Sequence, residues 1–177
     1  MPAKITYDGS TPEAPLVVPL RPTPAERRAL DATIAAFGAA CAVVMDAGRA
    51  AETTSNALLH RLCYRRLRST YGLNANLAIR GIARAARRLK QPQPGRDEAL
   101  IDYDARTLRF ARDGAAVSLA SQHGRLGAVR VDLDFRGRLR LGTGRLVRAT
   151  LRRLPGCRYE LIVWLAAPHE HPSGTAP

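Results

Sequence analysis

Arginine is the residue type in this chain whose number and placement could do chemistry, and that chemistry is capture of phosphate. Of the 28 basic residues only Lys4 and Lys90 are lysine. Residues 53–96 carry 10 basic and no acidic groups, whereas residues 1–52 carry 5 and 6, and residues 97–177 carry 13 and 9. Arg61, Arg65 and Arg68 fall on one side of a helix expected over 55–71. Arg80, Arg84, Arg87 and Arg88 cover one face of a helix expected over 75–90 and could follow a backbone strand over ~12 Å. A guanidinium beside a phosphate displaces condensed counterions, so affinity is gained without reading sequence. Solvated helix faces usually mix signs, because acid–base pairs at i,i+4 stabilise a helix. Across these 44 residues no acid occurs, so like charges repel with no internal relief. The seven arginines are therefore expected to contact phosphates. Arg66 instead projects into the apolar side of its helix, where it could snorkel or meet a ligand.

Other chemistry is thinly represented. Asp102 with Asp104, and Asp132 with Asp134, sit at i,i+2 in expected strands, which puts each pair on one face. A metal nuclease needs such acids, together with further acids from separate elements. A polar face before a turn is the simpler expectation for Asp102-Tyr103-Asp104. His169-Glu170-His171 offers two histidines with no third ligand. Gly142-Thr143-Gly144 could cradle a phosphate, but reads better as a hairpin turn. Tyr64, Tyr71 and Tyr103 could stack on bases, with core packing the simpler role for each. No H-E-x-x-H, P-loop or G-x-S-x-G occurs. Neither a catalytic residue, a metal nor a cofactor is expected. Cys41, Cys63 and Cys157 are far apart and form no C-x-x-C. Cys41 and Cys63 lie at apolar positions of helical patterns and are expected to be buried, inert thiols.

The chain of 177 residues carries a net charge of +13, is 46% apolar and only 5% aromatic. That excludes a disordered tail, a collagen-like fibre and a disulfide scaffold, and rests the core on Leu, Ala, Val and Ile. The excess charge favours a polyanionic partner. Met1 to Asp8 has no apolar core of a signal peptide. The longest uncharged apolar stretch, Thr33 to Met45, falls short of the ~20 residues that cross a bilayer. A cytoplasmic protein is expected, nucleoid-associated if it holds DNA, with no membrane partner.

The elements that position these residues can be read in order. Leu16-Val17-Val18-Pro19-Leu20 is a short strand, which Pro19 assigns to an edge or a strand end. Thr23-Pro24-Ala25-Glu26 is a capping box with a proline start. Leu30, Ile34, Phe37, Cys41, Val44 and Met45 follow at helical spacing as far as Gly48. In the second helix Leu59, Leu62, Cys63 and Leu67 share a side. In the third, Ile79, Ile82, Ala86 and Leu89 cover the core face, leaving four guanidinium groups outward. Gln91-Pro92-Gln93-Pro94-Gly95 ends helical structure. Beyond it the period becomes two, with strands expected at 100–104, 106–110, 115–120, 127–133, 138–141, 145–152 and 158–165. The fold class is α+β: a small oligonucleotide-binding-like β-barrel with a three-helix insertion after its first strand. Residues 1–23 hold an N-terminal segment and the first barrel strand, 24–91 the helical insertion, 92–167 the rest of the barrel, and 168–177 a flexible tail.

This order of segments resembles the N-terminal half of TnpB (OrfB) proteins, RNA-guided nucleases of insertion sequences related to type V CRISPR effectors. The resemblance runs over about residues 16–167. It rests on Val18-Pro19-Leu20-Arg21-Pro22-Thr23-Pro24-Ala25-Glu26, Phe37-Gly38-Ala39-Ala40-Cys41, and most specifically Tyr71-Gly72-Leu73 through Leu77-Ala78-Ile79-Arg80 to Leu89-Lys90. Ile101-Asp102-Tyr103-Asp104-Ala105-Arg106, Leu108-Arg109-Phe110, Val117-Ser118-Leu119, Gly124-Arg125-Leu126 and Gly156-Cys157-Arg158-Tyr159-Glu160-Leu161 keep the family order. Arg21 stands where the family commonly has an aromatic, and Asp46 where it often has Asn. The resemblance implies a wedge domain interrupted by a helical recognition domain, which hold guide RNA and part of its heteroduplex by shape and backbone.

The chain ends as the family's nuclease half begins, so by resemblance no residue inherits a catalytic role. The expected function is binding of RNA and/or DNA by a nuclease-deficient, TnpB-like protein. The alternatives are a protein-interaction module pairing with a separately encoded nuclease half, and an inactive truncated remnant. An enzyme working through its aspartate pairs is the remaining class.

Overall fold

The computed structural model describes residues 14–91, 100–122 and 124–166. Its first helix, α1 (Pro24–Ala50), begins where the capping box places it: Thr23 accepts from the Glu26 amide, and the Glu26 carboxylate accepts from the Thr23 amide at 2.7 Å. Helix α2 (Asn56–Ser69) is capped by Ser55, and α3 (Ala75–Lys90) by Asn74, whose Oδ1 accepts from the Leu77 amide at 2.9 Å. The three helices pack on one another. Leu30, Phe37, Cys41 and Val44 of α1 meet Leu59, Cys63 and Leu67 of α2 and Leu77, Ala78, Ile82 and Ala85 of α3 in one buried cluster. By length and composition α1 could cross a membrane, but here its apolar stripe is spent on this core.

Among the described residues seven strands form one antiparallel sheet: β1 (Leu16–Arg21), β2 (Leu100–Tyr103), β3 (Leu108–Phe110), β4 (Ala116–Ser121), β5 (Gly124–Val131), β6 (Arg145–Leu154) and β7 (Arg158–Ala166). Their spatial order is β2-β6-β7-β1-β5-β4-β3. The two outermost strands, β2 and β3, are consecutive in the chain and joined by the turn at Asp104–Thr107. The Tyr103 hydroxyl donates to the Ala120 carbonyl at 2.9 Å and the Ala120 amide to the Thr107 carbonyl at 2.7 Å. The sheet thus curls into a nearly closed barrel. Val18, Leu20, Ile101, Val117, Leu119, Leu151, Leu161 and Val163 share the core with the helices. Among the described residues three polar links tie α1 to the sheet: the Gln122 amide donates to the buried Thr33 hydroxyl (3.1 Å), the Tyr159 hydroxyl donates to Asp31 (2.7 Å), and Arg153 of β6 pairs with the same Asp31 at 3.2 Å. The molecule is α+β, with α1–α3 lying between β1 and β2 in the chain.

Three expectations need correction. Residues 138–141 are not a strand. They lie in a fourth helix, α4 (Phe135–Thr143), which Asp134 caps by accepting from the Gly137 amide at 2.8 Å. Gly142-Thr143-Gly144 accordingly ends a helix and is not a hairpin turn. Second, β1 is interior to the sheet, between β7 and β5. Pro19 is tolerated because the β1–β5 ladder covers only Leu20 and Arg21. One residue further on, the Pro19 carbonyl still accepts from the Asp132 amide at 2.9 Å, and the missing N–H falls where β5 has ended. Third, Leu62 is 52% exposed and Ile79 42% exposed. The helices touch along stripes narrower than a 100°-wide apolar face, so residues at its margins remain in water.

Cys41 and Cys63 are buried and Cys157 is exposed. Burial pushes the Cys41 thiol up to about 12 and raises Cys63 as well. Ellman titration of the native protein is expected to count one fast thiol, Cys157, and to reach all three only in denaturant. A fast count of three would contradict this packing.

Candidate nucleic-acid interface

The seven arginines singled out by the sequence divide into two sets. Arg61, Arg65 and Arg68 are exposed on α2 and follow one stripe at i, i+4 and i+7. Among the described residues, no carboxylate pairs with any of them. Beside the stripe His60 stacks on Tyr64 with ring centroids 4.6 Å apart, and Arg68 donates to the Tyr64 hydroxyl at 3.4 Å. Two aromatic rings thus stand next to three unpaired cations. Arg66 is exposed too, so it does not intrude into the apolar contact of α2.

The α3 set is organised differently. Arg80 pairs with Asp104, and Asp102 is shared between Arg84, at 3.0 Å, and Arg87. The Thr150 hydroxyl donates to Asp102 as well, at 3.2 Å. Both carboxylates come from the β2 end of the sheet, which packs beside α3. The acid-free block therefore does have relief, supplied across the fold by residues that follow it in sequence. Asp102 and Asp104 are about one-fifth exposed or less, and so is Arg84. Burial alone would raise the Asp104 carboxyl. The Arg80 guanidinium and the Thr107 hydroxyl outweigh it and hold the group below the ordinary carboxylate range. Arg88 is half-buried and lines a cleft of about 580 Å³ between α1 and α3, with Arg49 and Arg84.

Pairing does not make α3 neutral. Arg80, Arg87 and Lys90 line a second cleft, of about 310 Å³, whose opposite wall is β6. There Arg148 lies over the Trp164 ring, 4.0 Å from its centroid. Four cations thus line this cleft with Asp102, of which Arg87 is paired to Asp102 and Arg80 to Asp104, and Asn56 completes the rim. Arg148 and Trp164 had no signal in the sequence: they are 16 residues apart and meet only through the β6–β7 register.

The paired aspartates do not form an acidic centre. Asp102 and Asp104 hold guanidinium groups. Asp132 pairs with Arg21 at 2.6 Å, and Asp134 caps α4. Among the described residues no group of three His, Cys, Asp or Glu could hold a metal ion. His169-Glu170-His171 and the segment 92–99 lie outside the described residues. Of the candidate stacking tyrosines, Tyr103 is buried with its hydroxyl on Ala120, and Tyr64 and Tyr71 are both partly buried and packed against the core, Tyr64 with His60 stacked on its ring.

The described residues make an α+β protein with a nearly closed antiparallel barrel and a layer of three helices, with arginines on the surfaces of α2 and α3. No family model and no curated protein matches the chain.

Proposed function

We propose that this protein binds nucleic acid through the ligand's phosphate backbone, with Arg61, Arg65 and Arg68 as primary phosphate contacts and the α3–β6 cleft as a second subsite. The observation that carries this reading is the α2 stripe: three exposed guanidinium groups on one face, with no carboxylate partner among the described residues. Arg80, Arg84, Arg87 and Arg88 contribute positive potential from α3, with Arg87 the most exposed of the three that pair with Asp102 and Asp104. The resemblance to TnpB proteins supports RNA, and target DNA paired to it, as the ligand. It also supports an oligonucleotide-binding-like barrel interrupted by a helical insertion as the finer description of the fold. Among the described residues Asp102, Asp104 and Asp132 are each held by arginine, and Asp134 caps α4.

Leu58, Leu62 and Ile79, 36%, 52% and 42% exposed, favour a second reading in which α2 and α3 dock a protein, such as a separately encoded nuclease half. Purification of the tagged protein separates the two. Nucleic acid is expected to copurify, to be removed by nuclease or high salt, and to yield a defined set of RNAs on sequencing. A protein partner retained through nuclease treatment, with no nucleic acid in the preparation, would favour the docking reading.

A further inference from the structure

Helix α4 carries apolar side chains that its own packing does not use. It is held to the β3–β4 turn by backbone. A Cβ on Gly114, where φ is +66°, would lie 2.5 Å from the Arg138 carbonyl oxygen, and one on Gly142 would lie 2.5 Å from that of Arg112. Only glycine permits either approach. Leu141 supplies the buried side-chain anchor. Phe135 and Leu139, one turn apart, are nevertheless 71% and 54% exposed. Beside them opens a shallow depression of about 380 Å³ shared with Arg112, Asp113 and Arg138.

The surroundings of this knob are cationic. Arg112, Arg136 and Arg138 have no ion pair among the described residues and outnumber the one carboxylate there, Asp113, which accepts from the Ala115 amide at 3.0 Å. An apolar protein partner has no need of the two guanidinium groups, Arg112 and Arg138, that share the depression with this ring, or of Arg136 next to it in the chain. A nucleotide matches both features, because its base has a flat apolar face and its backbone a phosphate. We propose that Phe135 and Leu139 form a stacking platform for an unpaired base of a single strand, with Arg112, Arg136 and Arg138 on the flanking phosphates. The platform is a second contact, distinct from the α2 stripe, and it rests on the nucleic-acid reading only for the class of its partner.

Phe135→Ala, Phe135→Trp and Leu139→Ala in the full chain test it by fluorescence anisotropy, against a labelled oligouridine strand and a mixed-sequence duplex. Phe135→Ala is expected to weaken single-strand binding about tenfold, as loss of one base–aromatic stack does. Phe135→Trp should retain it, and duplex affinity should be unchanged in both. The slope of log affinity against log salt should also be unchanged in Phe135→Ala, because no phosphate contact is removed. The exposed position leaves the fold intact, which a thermal melt verifies. Equal single-strand affinity in Phe135→Ala would overturn the platform. So would unchanged affinity with a shift from dimer to monomer in sedimentation, which would assign the knob to a second copy of the chain. If reversing the α2 stripe spares binding while Phe135→Ala weakens it, the platform stands and the α2 site falls. If wild-type protein binds neither oligonucleotide at low salt, both fall.

Discussion

Replacing Asp102 with alanine is expected to destabilise the protein by about 2–3 kcal/mol, among the largest losses available from a single polar side chain. Asp102 accepts from Arg84, Arg87 and Thr150, and its side chain is only 17% exposed. Removing it strands the Arg84 guanidinium, itself 17% exposed, between α3 and the sheet with no anion. Loss of one partner of such a pair costs more than the pair contributes, because the remaining charge is left desolvated. Arg87, at 62% exposed, can turn to water and adds little. Urea unfolding of Asp102→Ala should show a lower midpoint with an unchanged m-value. Asp102→Asn keeps the acceptor oxygen and should recover part of the loss. A midpoint equal to wild type would show that α3 is not fastened to β2 by this carboxylate.

Reversing Arg61, Arg65 and Arg68 together to glutamate is expected to lower nucleic-acid affinity about 100-fold or more, from ~1 kcal/mol per charge-assisted phosphate contact over three contacts. The three positions are exposed and break no ion pair among the described residues, so the thermal midpoint should stay near that of wild type. That separation of binding from folding is what the α3 arginines cannot offer. Reversing Arg80, Arg84 and Arg87 would place three carboxylates against Asp102 and Asp104, and lost binding would then report lost structure. Affinity unchanged in the α2 variant at moderate salt would move the site elsewhere.

Much of this architecture is legible in the residues, where the deciding interaction is local. Thr23, Pro24 and Glu26 set the start of α1, Asn74 that of α3, and the strands from 100 onward follow their alternation. What sequence hides is what the fold brings from afar. The relief for Arg80, Arg84 and Arg87 comes from Asp102 and Asp104, beyond the acid-free window and on a different kind of element. Residues 138–141 alternate like a strand, yet Asp134 is a good N-cap and the close approaches at Gly114 and Gly142 reward a helix there. Pro19 argues against an interior strand only if the ladder on its N–H side continues, and β5 ends one residue too soon. For the site, the exposed arginines of α2 are readable from spacing alone. The plate of Arg148 on Trp164 and the α4 knob depend on sheet register and on helix docking, which no local pattern encodes.

Salt dependence of binding tests the central claim most directly. Affinity of the full chain for labelled RNA should fall linearly on a log–log plot against salt, with a slope of about −2 or steeper, from 0.7–0.9 per phosphate neutralised. Arg61→Gln, Arg65→Gln and Arg68→Gln combined should flatten that slope by about 2. Failure to bind at low salt, or a slope in the glutamine variant equal to that of wild type, would contradict a phosphate site on α2.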